Sequence, residues 1–278
     1  MAPRDIVTFT CLLVAAAATA GGGVARKEEP VDSQTPAVRA KMVAEIKQEI
    51  QSEMGLLSVH LLRERRSSFV ELHADDNFGE TNYGTAGYLG RGYFLTVKHA
   101  VVALTSDAQR GTRTITSVKV VYKGKDIPAR VIDAGDADVE VHSGDWAIIK
   151  TEELDLPALH VDTSFDYDFA DPIFRLGNDY SRGILLSTGY VGQRTSNGLV
   201  TCLTDGHPGV SGGGVLDQRG DLVGIPIGRM QGDYRFSFIL PLRAEMLRKV
   251  PRQQPGEAAP SAAPAALPAP VQALAAAQ

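Results

Sequence analysis

The stretch Asp205-Gly206-His207-Pro208-Gly209-Val210-Ser211-Gly212-Gly213-Gly214 sets one serine among five glycines in ten residues. Glycine admits positive φ and lets backbone N–H groups approach a ligand without a Cβ in the way. A serine that attacks a carbonyl needs that surround: an exposed Oγ, and amides aimed at the oxyanion that forms. Gly209 and Ser211 have the spacing of paired backbone donors in such a site. A plain glycine-rich turn has the same composition, so the reading depends on what else the chain supplies. Two other stretches hold complementary groups. In Gly92-Tyr93-Phe94-Leu95-Thr96-Val97-Lys98-His99 an apolar run delivers a histidine at its end. In Ser143-Gly144-Asp145-Trp146-Ala147-Ile148-Ile149-Lys150 an acid precedes a run that reads as buried. A lone aspartate at a strand start is usually a turn or cap residue, and a lone histidine is more often structural than catalytic. Together, in the order His99, Asp145, Ser211, they supply a base, a group to orient it and a nucleophile.

Those residues need a scaffold that presents loops from rigid strands. Between about 67 and 250 the chain alternates short β-like runs with turn residues. The runs are Ser68–His73, Thr85–Leu89, Tyr93–Thr96, Ser117–Tyr122, Ile127–Ile132, Trp146–Lys150, Ile184–Val191, Leu199–Leu203, Val215–Leu216, Leu222–Ile227 and Arg235–Leu240. This spacing predicts an all-β barrel or sandwich. Leu242, Met246 and Val250 keep helical spacing and predict one helix over 242–250. No tandem repeat is evident.

The chain has 278 residues, and 44% hydrophobic content is enough for a sizeable core. Its net charge of −5 and the lack of any Lys/Arg block argue against nucleic acid as a partner. Residues 1–20 read as a signal peptide: one arginine in Met1–Asp5, an uncharged run over Ile6–Ala20, and a small-x-small site at Ala18-Thr19-Ala20. Left uncleaved, 6–20 would be a membrane tether, although the run is short for a span of about 20 residues. Either way the product is exported, to the periplasm or the outside. Residues 21–36 are small and polar, a linker. Over 37–66 the chain predicts a helical segment, with Val38, Met42, Ile46, Ile50 and Met54 making one apolar stripe. The stripe favours packing on the body or pairing with another copy. Residues 251–278 are almost all Ala, Pro, Gln, Gly and Ser, and predict a disordered tail. Of the two cysteines, Cys11 lies in the export segment and Cys202 in a strand-like run, where an inert buried thiol is expected. No Cys/His spacing suggests a metal.

The quoted stretches resemble the trypsin-fold serine peptidases, and within them the HtrA/Deg-like branch without its PDZ domains. Gly92–Val102 is similar to that branch's histidine motif and Asp145–Lys150 to its aspartate segment. Leu176-Gly177-Asn178 and Ser187–Val191 are similar to the strand pair before its serine loop, and Ser237–Pro241 to its closing strand. The resemblance covers about 69–250. His, Asp, Ser is also the chymotrypsin chain order. The resemblance implies two six-stranded antiparallel β-barrels, with His99 and Asp145 from the first and Ser211 from the second. It implies a catalytic triad of these three, an oxyanion hole at Gly209 and Ser211, polypeptide substrates, and no cofactor or metal. Relatives in this branch are often trimers, so a homo-oligomer is within its expectations.

The chain departs from the branch where Val210 replaces the usual Asn or Asp and Gly214 the usual Pro. A catalytically silent trypsin-fold module that binds peptides or signals is the alternative function. An α/β-hydrolase places its histidine after the serine, and no histidine follows Ser211. For specificity the resemblance points to Asp205, Ile227 and Arg229. Ile227 would pair with an added substrate strand. Asp205 and Arg229 together would cancel and favour small or aliphatic residues before the cut; Arg229 alone would favour acidic ones.

Overall fold

The computed structural model describes residues 35–104, 112–179, 183–230 and 232–251. The expected signal segment, all of the linker before residue 35 and the tail beyond Pro251 lie outside the described residues. Among the described residues, no helix is long and apolar enough to cross a membrane.

The chain divides into two units, Met1–Lys47 and Gln48–Gln278. The helical segment forms as α1, Pro36–Glu53, and α2, Val59–Arg66. They are not one helix, because Gly55 takes φ +62° and breaks it. The stripe on α1 stays exposed, from 43% at Val38 to 63% at Met54. In the second unit, Leu61 of α2 lies against Gly220. Arg65 Nε donates to the Gly220 carbonyl at 2.9 Å and Arg66 Nε to that of Ile184 at 2.8 Å.

The body is two closed six-stranded antiparallel barrels. The first contains β1 (Phe69–Asp76), β2 (Thr81–Gly90), β3 (Tyr93–Thr96), β4 (Ile115–Tyr122), β5 (Lys125–Ala134) and β6 (Ala147–Lys150). Its neighbours run β1-β2-β3-β6-β5-β4, and β4 closes onto β1. The second contains β7 (Pro172–Asn178), β8 (Ile184–Arg194), β9 (Val200–Leu203), β10 (Gly214–Leu216), β11 (Leu222–Met230) and β12 (Asp233–Pro241). Its order is β10-β11-β12-β9-β8-β7, closed by β7 on β10. Closure leaves no long unpaired edge within either sheet. Each run read as a strand coincides with one of these elements, with Ser68, Trp146 and Leu199 one residue outside their strands; β7 had no run of its own and was indicated only by the resemblance.

Apolar side chains fill the core, and the short strands β3 and β6 are buried on both faces. Leu72, Phe94, Leu95, Ile148 and Ile149 are fully buried in the first. Ile173, Val191, Val200, Cys202, Val215 and Ile239 pack in the second, with Tyr167. Burial pushes the Cys202 thiol up to about 12, so it is inert toward oxidation and exchange. The helix expected over 242–250 is shorter, a 3₁₀ turn at Ala244–Leu247. Leu242 N–H is spent on the Val223 carbonyl at 2.9 Å, so the chain leaves β12 late, and Pro251 follows soon after.

Candidate active site

The antiparallel register of β3 with β6 runs from Tyr93↔Lys150 to Thr96↔Ala147. Continued past the strand ends, it brings Lys98–His99 opposite Asp145. A short helix, α3 (Lys98–Val101), turns the chain there and carries His99. Asp145 is fully buried and meets His99 twice. Its Oδ1 accepts from the His99 backbone N–H at 2.9 Å, and its Oδ2 is 2.6 Å from His99 Nδ1. The two contacts fix both the ring and its backbone, and they assign the Nδ1 proton to the aspartate side. The preceding loop is braced by Lys98 Nζ, which donates to the Ala137 carbonyl at 2.7 Å.

Ser211 sits on the tight turn between β9 and β10. Gly209 and Gly212 there have φ of +97° and +79°, a region closed to most side chains. At Gly212 a Cβ would also run into Thr96 Oγ1 and the Thr85 carbonyl. Gly213 N–H donates to the Val210 carbonyl at 2.9 Å. The peptide is trans, so the Ser211 N–H on its far side points the other way. Val210 is buried at 6% exposure and lies over Gly177 of β7. An apolar anchor therefore holds the place where the resembled branch has a polar residue.

The loop is also gripped from the first barrel. Thr85 on β2, fully buried, donates its N–H to the Ser211 carbonyl at 2.9 Å and its hydroxyl to the Gly209 carbonyl at 2.7 Å. The same hydroxyl accepts from Asn178 N–H at 2.8 Å. From the other side, Gly212 N–H donates to the Pro226 carbonyl at 3.0 Å. His99, Gly209 and Ser211 line one cleft of about 440 Å³, together with Pro226–Arg229.

A family model for the trypsin-like peptidase domain matches residues 84–225. The chain belongs to that family. Among solved structures it is similar to a serine endoprotease from Yersinia pestis, with 18% identity over 65% of this chain and 61% of that one, TM-score 0.54. It is also similar to the active form of the Rv3671c protease from M. tuberculosis, with 19% identity over 70% and 86% of the two chains, TM-score 0.57. A third is the HtrA-type protease AlgW with a tripeptide, at 20% identity over 65% and 58%, TM-score 0.53. The chain thus spans less than two thirds of the Yersinia and AlgW chains. No curated protein sequence matches it.

In this trypsin-like peptidase the residues expected to set specificity separate. Ile227 is fully buried at an irregularity of β11, and its residue lines the cleft. Arg229 is half-buried and lines the cleft. Asp205 is exposed and does not line it. Arg175 on β7 is 4% exposed. Burial pulls its guanidinium down to about 10, against the pull of Asp205 and Asp179. Sequence reasoning missed Thr85 and Asn178. A threonine in a β-run reads only as a strand former, and nothing local shows that its hydroxyl spans to the other barrel. Among the described residues no cluster of His, Cys, Asp or Glu could hold a metal ion.

Proposed function

We propose that this serine endopeptidase is exported and cuts unfolded or damaged polypeptide with Ser211 as nucleophile, His99 as general base and Asp145 as its orienting acid. The observation that carries the reading is the double contact of His99 with buried Asp145, in the cleft that also holds Ser211. With Nδ1 committed to Asp145, Nε2 is the nitrogen that takes the serine proton. Ser211 Oγ then bonds to the scissile carbonyl carbon, and the oxyanion is received by the amides of Gly209 and Ser211. Collapse breaks the C–N bond, and the imidazolium returns the proton to the leaving amine. Water, deprotonated by His99, hydrolyses the acyl-enzyme and restores the serine.

The preference for unfolded chains is supported by β11. Its pairing with β10 stops at Gly224, while Pro226–Arg229 continue along the cleft wall. An extended segment can be received there main chain to main chain, which a folded substrate cannot offer. Export is supported by the composition of residues 1–20. Incubation of the purified chain with a reduced, unfolded protein should give discrete fragments, and Ser211→Ala should give none. Fragments from both proteins would refute the assignment; fragments from neither would favour a silent peptide-binding module.

A further inference from the structure

The cleft that holds Ser211 is walled by both barrels, with Glu140 and Val141 from the first and Pro226–Arg229 from the second. At one place the two walls touch. A Cβ built on Gly228 would lie 2.6 Å from Val141 Cγ2 and 3.9 Å from Val141 Cβ. The valine therefore packs on the bare face of Gly228, and any larger residue at 228 would push it away. Val141 takes φ +57° to make this contact. A β-branched residue is a genuine outlier in that region, and such strain persists only where surrounding contacts hold it.

Val141 ends the tip of the loop between β5 and β6. The loop is pinned on both sides of that tip. Before it, the Ala137 carbonyl accepts from Lys98 Nζ at 2.7 Å. After it, the His142 carbonyl accepts from Asp145 N–H at 2.9 Å, and the Ser143 carbonyl from Arg243 at 2.9 Å. The tip itself, 138–141, carries an exposed Val139 and an exposed Glu140. It can turn outward while Asp145 keeps its place. A polypeptide added along Pro226–Arg229 continues the sheet, with side chains alternately on its two faces. Every second one then projects on the face of Gly228 that Val141 covers.

We propose that Val141 is an autoinhibitory lid, closed here on Gly228, and that an extended polypeptide is admitted only when the 138–141 tip swings away. The proposal rests on the reading of Pro226–Arg229 as the edge that receives substrate. A small reagent does not need that edge. It reaches Ser211 and His99 through the part of the cleft that stays open, about 440 Å³ in all.

The contact can be locked. A Cβ–Cβ spacing of 3.9 Å suits a disulfide, which wants about 3.5–4.5 Å. The full chain carrying Val141→Cys, Gly228→Cys and Ser211→Ala is oxidised, and mass mapping confirms the bridge. It is then titrated with a fluorescein-labelled, reduced and alkylated polypeptide. Binding should be lost in the oxidised form and return on reduction. In a second variant, Val141→Gly with Ser211→Ala, glycine suits the positive φ and removes the contact. If the open form is about one part in ten of the resting protein, this variant should bind about tenfold tighter than Ser211→Ala alone. Equal binding by the oxidised and reduced forms overturns the lid. So does unchanged or weaker binding by Val141→Gly, since weaker binding would make Val141 a substrate contact. With Ser211 restored, a small fluorophosphonate should label it equally in the locked and reduced forms; labelling lost only on oxidation would mean that the lock distorts the serine, and also overturns the lid. If the lock blocks polypeptide but Ser211 is labelled in neither form, the lid stands and the serine reading fails.

Discussion

The two halves of the site are built by different physics. The His99–Asp145 half is local to the first barrel: one strand register brings the residues together, and a buried carboxylate locks them with two hydrogen bonds. The Ser211 half belongs to the second barrel in sequence but is held by its neighbours. Thr85 on β2 takes two of its carbonyl groups, Pro226 on β11 takes one of its amides, and Val210 anchors it on β7. The proposed base is thus positioned by secondary structure and the proposed nucleophile by tertiary contacts that cross between barrels.

The sharpest way to break the first half is Asp145→Asn. The amide preserves the shape but offers Nδ1 the wrong partner, so kcat should fall by about 10⁴ with little change in KM. Wild-type kcat in this variant would remove Asp145 from the mechanism.

Thr85→Val tests the second half from across the interface. It deletes the hydroxyl that reaches the Gly209 carbonyl but leaves the strand volume in place. A loosened oxyanion loop should lower kcat/KM by roughly 10²-fold, as expected for misplacing donors by about an ångström. The His99 protonation profile should be unmoved, because the bond Thr85 makes toward that half, its carbonyl accepting from Thr96 Oγ1 at 2.7 Å, survives the substitution. Loss of activity accompanied by a shifted histidine titration would show that the halves are not separable.

The smallest effect concerns the β1–β2 turn that leads into Thr85. Hydrogen bonds from Ser117, Thr81 and Lys119 hold the Asp75 carboxyl down at about 2, below its ordinary 3.8. At Asp76 burial pushes the other way, but Arg113 and the amides of Glu80 and Phe78 prevail and keep it low. A folded pKa below the unfolded one gives stability that is complete above about 4 and is lost as pH falls toward 2. Melting followed by Trp146, the single tryptophan, should therefore weaken over that window, and Asp75→Asn should flatten the dependence. An unchanged acid profile in that variant would discount the turn.

Much of this was legible in the sequence, for a definable reason. His99, Asp145 and Ser211 announce themselves because each sits at a break in a strong local pattern: a strand end, a strand start, a glycine cluster. The short β-like runs separated by turns read as a barrel or a sandwich, and the resemblance narrowed that to two six-stranded barrels. What could not be read depends on register or on distant partners. Thr85 looks like any β-forming threonine until β2 is laid against the serine loop. Asp205 and Arg229 are both plausible pocket residues on the chain, and only the pairing of Arg229 with Ser237 turns one inward. The break at Gly55 is hidden in the sequence because Leu57 and Leu61 prolong the apolar rhythm; in the structure Leu57 is buried just before α2, and Leu61 of α2 lies against Gly220.

The central claim is that His99 makes Ser211 a nucleophile in the intact chain. Reaction with a fluorophosphonate, followed by mass mapping of the adduct, addresses it in one step. A single adduct on Ser211 is expected, formed rapidly in wild type and slowed by several orders of magnitude in His99→Ala. An adduct elsewhere, or equal labelling of Ser211 in both proteins, would contradict it.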